Sequence, residues 1–118
     1  MTPAHYVLVV DDDRDIRESL AELLVEDGHQ VRVAANGQEA LDLLRASERP
    51  CLILLDVMMP VMDGRRFLEE KGRDTALVEI PVCLVTAGAS IPSGPGVVSV
   101  VKKPIDFAKL RGLVERYC

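Results

Sequence analysis

The sequence predicts an α/β fold, one parallel sheet with helices packed on both faces, and three observations carry that reading. Continuous apolar runs rich in β-branched residues recur along the chain, each ending abruptly in a polar residue. Segments with helical periodicity separate them, an alternation that joins parallel strands by right-handed crossovers. The 118 residues, 48% hydrophobic and 28% charged, suffice for one core and no second, so residues 1–118 are expected to form a single domain.

The first strand is Tyr6-Val7-Leu8-Val9-Val10, apolar on both faces as a central strand would be, and it stops at Asp11-Asp12-Asp13. From Asp13, a fitting N-cap, Ile16, Leu20, Leu23 and Leu24 form the apolar face of a helix that Gly28 ends. Gln30-Val31-Arg32-Val33-Ala34 alternates polar and apolar residues, the pattern of an edge strand with one wet face. Asn36 can cap a second helix with Ala40, Leu41 and Leu44 inward, and Pro50 closes that segment.

The run Cys51-Leu52-Ile53-Leu54-Leu55 then delivers Asp56, followed by the turn sequence Val57-Met58-Met59-Pro60. Asp63 is placed to cap a helix through Phe67 and Leu68 to about Lys71, with Gly72-Arg73-Asp74 expected to break it. Val82-Cys83-Leu84-Val85 is a fourth strand ending in Thr86, and Val97-Val98-Ser99-Val100-Val101 a fifth ending in Lys102-Lys103-Pro104. The last helix carries Phe107, Leu110, Leu113, Val114 and Tyr117 on one predicted face.

Composition narrows the function. A net charge of −5 with interspersed signs offers no basic patch for nucleic acid or membrane surfaces, and no apolar run approaches bilayer length, so a cytoplasmic protein is expected. Of the three cysteines, Cys51 and Cys83 lie in apolar runs and read as inert buried hydrophobes, while Cys118 reads as an exposed thiol of no legible function. Their spacing matches no metal site.

In a parallel sheet the carboxyl ends of the strands share one edge, so Asp11, Asp12, Asp56, Thr86 and Lys103 are expected to converge there. Clustered carboxylates repel unless a cation offsets them, and an oxygen-only donor set favours Mg²⁺. Asp56, central in the group, is then placed as a nucleophile toward phosphorus. Phosphoryl transfer chiefly needs positioning and charge neutralisation, which Mg²⁺, Lys103 and the Thr86 hydroxyl would divide among three phosphoryl oxygens.

These residues, Val9-Val10-Asp11-Asp12, Leu54-Leu55-Asp56-Val57-Met58-Met59-Pro60 with Met62-Asp63-Gly64, Val85-Thr86-Ala87 and Lys103-Pro104, resemble the receiver domain of two-component response regulators. The resemblance runs from Tyr6 to Tyr117 and implies a flavodoxin-like doubly wound five-stranded sheet in the order 2-1-3-4-5. It implies that Asp56 accepts a phosphoryl group from a histidine kinase or phosphotransfer protein. Asp11, Asp12, Asp56 and the backbone carbonyl of Met58 would hold the metal, Thr86 would meet the phosphoryl group, and Lys103 would pair with it. Lys103 rather than Lys102 matches because it precedes proline, in a peptide bond that is commonly cis in the family. Gly64 matches a glycine that lets the loop turn tightly.

On this reading the chain is a stand-alone regulator whose output is phosphorylation-dependent binding to an unknown downstream protein. A pseudo-receiver, binding independently of phosphate, is the alternative. A haloacid-dehalogenase-type phosphatase would want an acid where Met58 stands, and a flavin binder would want a phosphate-cradling loop where three aspartates stand.

Three departures from the family pattern carry expectations of their own. Val100 occupies the place, three before the lysine, where an aromatic ring often swings with phosphorylation. Only ten residues, Ala87 to Gly96, join strands four and five, and with three glycines and two prolines the fourth helix is expected to be missing or reduced to about one turn. The thinly covered face beside residues 87–96 is then expected to be a partner-docking surface or a dimer interface. Met58 and Gly88 stand two residues after Asp56 and Thr86, where neither side chain can orient an attacking water, so a long-lived phosphoryl group is expected.

Overall fold

Strands Tyr6–Val10 (β1), Gln30–Ala34 (β2), Leu52–Asp56 (β3), Val82–Thr86 (β4) and Val97–Lys102 (β5) alternate with helices Arg14–Glu26 (α1), Gly37–Ala46 (α2), Gly64–Arg73 (α3) and Phe107–Tyr117 (α4). The computed structural model describes residues 6–88 and 91–118. All strand pairs are parallel and the order is β2-β1-β3-β4-β5, the flavodoxin-like arrangement. Central β1, β3 and β4 are buried at every position, which explains their unbroken apolar runs.

The side chains of these strands alternate between two cores. Leu8, Val10, Ile53, Leu55, Val82 and Leu84 meet α2 and α3 through Ala40, Leu41, Leu44, Phe67 and Leu68. Val7, Val9, Leu52, Leu54, Cys83 and Val85 meet α1 and α4 through Leu20, Leu24, Leu110 and Val114. Burying each large apolar side chain contributes roughly 1.5–3 kcal/mol before entropy is counted. A one-residue slip of β3 would exchange its two faces between these cores.

The helix starts follow their caps. Asp13 Oδ1 accepts from the Asp15 and Ile16 amides at 2.9 and 3.2 Å, Asn36 Oδ1 from Glu39 at 3.0 Å, and Asp63 Oδ1 from Arg66 at 3.0 Å. Gly28, with φ +91°, ends the first helical segment in a conformation that costs other residues more. Gly72 does not break α3, which runs to Arg73 and is capped by Asp74.

Between Thr86 and Val97 the described residues form turns and irregular backbone, with no helix. The helix α4 therefore follows β5, and the short connection is covered instead by Pro92, which is buried, and by Pro95, which lies with Ser93 and Gly94 along a groove against α3. Cover over β5 is thin: Val97 and Val100 are only partly buried and Val98 is exposed. Val98 is also the extra residue where the register jumps from Val82↔Val97 to Cys83↔Ser99, and such a bulge turns its side chain away from the ladder.

Three further expectations need correction. Phe107 is exposed at the start of α4, because the helix turns its inward stripe only from Leu110 onward. Val33 is exposed too, so β2 is wetter than simple alternation implies. Cys51 is not an inert thiol, nor is Cys118 a free one: the two form a disulfide across a Cα–Cα distance of 5.4 Å, leaving Cys83 free and buried. Among the described residues no helix is long and apolar enough to cross a membrane.

Candidate functional site at the carboxyl edge of the sheet

Asp11 follows β1 directly, and its amide donates to the Ala34 carbonyl at 3.1 Å, which extends the β1–β2 pairing into the loop. Its carboxylate is buried, with Oδ1 accepting from the Asp13 amide at 2.9 Å, while Asp12 beside it is exposed. The Arg17 guanidinium donates to the Asp11 carbonyl oxygen at 2.8 Å and ties the loop to α1. Nothing in the sequence distinguished Arg17 from an ordinary solvated helix residue, since its role depends on how the loop folds back over α1.

Asp56 ends β3, flanked by Val85 of β4, and its Oδ1 accepts from the Met58 amide at 3.3 Å. The Met58 side chain is exposed. The loop beyond is shaped by Val61, whose φ of +65° is uncommon for a β-branched residue, and by Gly64. Gly64 serves close approach rather than an unusual φ: a Cβ there would stand 2.8 Å from Val57 Cα and 3.0 Å from the Asp56 carbonyl oxygen. Its amide donates to Val57 O at 2.9 Å, pinning α3 beneath the site.

Thr86 ends β4, fully buried, with its hydroxyl oxygen accepting from the Gly88 amide at 3.0 Å. Its carbonyl accepts from the Lys103 amide at 2.9 Å, which carries the lysine to the same edge. The Lys103–Pro104 peptide bond is cis. Lys103 Nζ lies 3.3 Å from Asp11 Oδ2 and 3.7 Å from Asp56 Oδ1, bridging two acids that are 92 and 47 residues earlier in the chain.

The predicted residues are thus gathered at one edge. Carboxylate oxygens of Asp11, Asp12 and Asp56 lie within 4.8 Å of one another. One ammonium faces three acids, and the imbalance is visible at Asp56: burial first, then the Asp11 charge, pushes its carboxyl up to about 6 although Lys103 and the Met58 amide pull it down. Such a site favours an added hard cation.

A doubly wound parallel sheet with an acidic, lysine-bridged carboxyl edge is the layout of a two-component signalling domain. The response regulator receiver domain family matches residues 7–115, and the chain belongs to that family. It is 47% identical over 88 residues to the response regulator MprA of Mycolicibacterium vanbaalenii, an alignment covering 72% of this chain and 36% of that protein. The chain accordingly spans about a third of the length of the curated relatives it matches. Among solved structures it is similar to a response regulator receiver protein from Pseudomonas putida, with TM-score 0.90, 26% identity and coverage of 98% and 99% of the two chains. It is similar also to the response regulator TrrA from Thermotoga maritima in complex with Mg²⁺ and BeF, with TM-score 0.83, 31% identity and coverage of 97% and 99%.

Proposed function

We propose that this domain accepts a phosphoryl group on Asp56 from a phosphohistidine of a histidine kinase or phosphotransfer protein, with Mg²⁺ required, and signals by binding a downstream protein when phosphorylated. The observation that carries this reading is the meeting of buried Asp56 with Asp11, Asp12 and the Lys103 ammonium at one sheet edge. The oxygen-only donor set and its excess negative charge fit Mg²⁺, with Asp11, Asp12, Asp56 and the Met58 carbonyl as the residues that would hold it. Bound there, the ion supplies positive charge that offsets the acids and the incoming phosphoryl oxygens.

An Asp56 carboxylate oxygen attacks phosphorus as the bond to the donor nitrogen breaks, and that electron pair leaves with the imidazole. Ionisation is a precondition, and with a carboxyl near 6 most of Asp56 is ionised at neutral pH. Lys103 moves from its present contact with Asp56 to the new phosphoryl oxygens, a shift of partner that needs little displacement. The Thr86 hydroxyl, held now by Gly88, turns to donate to another phosphoryl oxygen. Catalysis is confined to gain and loss of the domain's own phosphoryl group, and a cytoplasmic setting suits the donor. The partly exposed β5 face beside residues 87–96 is the proposed surface for the partner or for a dimer.

Intact mass after incubation with acetyl phosphate tests the reading. One Mg²⁺-dependent phosphoryl adduct is expected on the wild type and none on Asp56→Asn. A folded wild type that acquires no adduct would instead make the domain a pseudo-receiver, binding independently of phosphate.

A further inference from the structure

The disulfide lies at the opposite edge of the sheet from the acidic site, and it ties β3, which carries Asp56, to α4, the helix that follows the Lys103 loop. Strand β3 enters after Cys51 and leaves at Asp56; α4 begins just after Lys103 and is capped at its far end by Cys118. Lys103 and Asp56 meet at one edge, Cys51 and Cys118 at the other. Between them α4 is held by buried Leu110 and Val114, by Lys109 Nζ donating to the Val100 carbonyl at 3.1 Å, and by Arg111 on Asp27 at 2.9 Å. Of the residues after Val114, Tyr117 alone packs partly on the core, so the disulfide is the main tie on the last turn.

We propose that Cys51 and Cys118 are a reversible thiol–disulfide pair that takes low-molecular-weight disulfides as its oxidant and fixes the end of α4 to β3. Access favours this. Cys118 is exposed, Cys51 is half-buried, and Cys51 lines a groove of about 270 Å³ together with Arg49, Pro50 and Tyr117. The exposed Arg49 gives that groove a positive charge, suited to a thiol compound that carries carboxylates. Both states are accommodated by the surroundings. The Cα separation of 5.4 Å lies in the ordinary disulfide range, and Cys51 Sγ stands 3.4 Å from the Tyr6 carbonyl oxygen, an acceptor for the thiol proton when the bond is open.

In the oxidising direction the Cys118 thiolate attacks one sulfur of the oxidant and releases one thiolate. The Cys51 thiolate then attacks Cys118 sulfur, expels the second thiolate and closes the bond. Two protein thiols are oxidised, one external disulfide is reduced to two thiols, and the two protons pass to them. Reversibility rests on the proposed cytoplasmic setting, where protein disulfides are transient and redox-responsive; formation of the bond does not.

The test equilibrates the full chain with glutathione at a series of reduced-to-oxidised ratios, quenches with acid, and alkylates in denaturant. One label per chain, on Cys83, is expected at the oxidised end and three at the reduced end. The oxidised form should melt on the order of 10 °C higher, as closing a loop of this length implies. Cys118→Ser should keep two labels throughout and melt like the reduced wild type. Three labels in oxidised glutathione, a stable adduct on Cys118 without closure, or a bond that survives excess reduced glutathione would each overturn the proposal. None of these readings depends on whether Asp56 is phosphorylated.

Discussion

Replacing Asp56 by asparagine is expected to stabilise the metal-free fold at neutral pH by an amount that shrinks in acid. The carboxyl is buried and raised from an ordinary 3.8 to about 6. Between those values the folded state binds more protons than the unfolded chain, so stability is fully present below about pH 4 and declines as pH rises through 6. A rise of this size at 1.36 kcal/mol per pKa unit costs the ionised fold about 3 kcal/mol at pH 7.5, and about 1 kcal/mol at pH 4.5. Asparagine keeps the shape and cannot ionise. In urea, with a slope of about 2 kcal/mol per molar for a domain of this size, the variant's midpoint should exceed the wild type's by about 1.5 M at pH 7.5 and by a third of that at pH 4.5. Mg²⁺ should raise the wild type more than the variant and narrow the gap. Equal midpoints at pH 7.5 in the absence of Mg²⁺, or a gap unchanged between the two pH values, would refute the view that burial and Asp11 burden this carboxylate.

Lys71 is fully buried, donates to the Val78 carbonyl at 2.9 Å, and is lowered by burial, then by Arg49, to about 8. The unfolded chain therefore holds more protons between about 8 and 10.5, and raising pH from 7.5 to 9.5 should stabilise the wild type by about 2 kcal/mol relative to Lys71→Met in paired urea titrations. Gly64→Ala puts a methyl against Val57 and Asp56 backbone that cannot yield, and should cost about 2 kcal/mol by thermal unfolding while slowing acetyl-phosphate labelling. Polar residues in place of Met58 and Gly88 should shorten the phosphoryl lifetime several-fold, as about 1 kcal/mol of water positioning implies, followed by the decay of the intact-mass adduct. A lifetime unchanged or longer in that variant would contradict the role given to those two positions.

The edge of the sheet was legible because strands announce their ends: an apolar run stops at Asp11, Asp56, Thr86 or Lys103, and parallel topology does the rest. Caps were equally legible, since Asp13, Asn36 and Asp63 act within three residues of themselves. The missing helix could be read from glycine and proline alone, and the described part of 87–96 contains none. What escaped depends on contacts distant in the chain. Cys51 and Cys118 are 67 residues apart, and only the packing of α4 brings them together. Lys71 did carry a signal, standing four residues after Phe67 and three after Leu68 on the inward stripe, but lysine is rarely buried and its acceptor, the Val78 carbonyl, lies beyond the helix. Gly96, at φ +86°, explains the room it finds: a Cβ there would stand 2.8 Å from Lys71 Nζ.

Strand β3 is hydrogen-bonded on both sides, by β1 and β4, and every residue in it is buried. Its amides, like those of β1 and β4, should therefore exchange with solvent only through global unfolding, which gives Asp56 a stiff backbone beneath it. A rigid seat of that kind does not relay displacement through the body of the domain. Whatever the acidic edge gains or loses, displacement is left to the segments that hang from the strand ends, residues 57–63, 87–88 and 103–106 among them, around the rim of the sheet rather than through it.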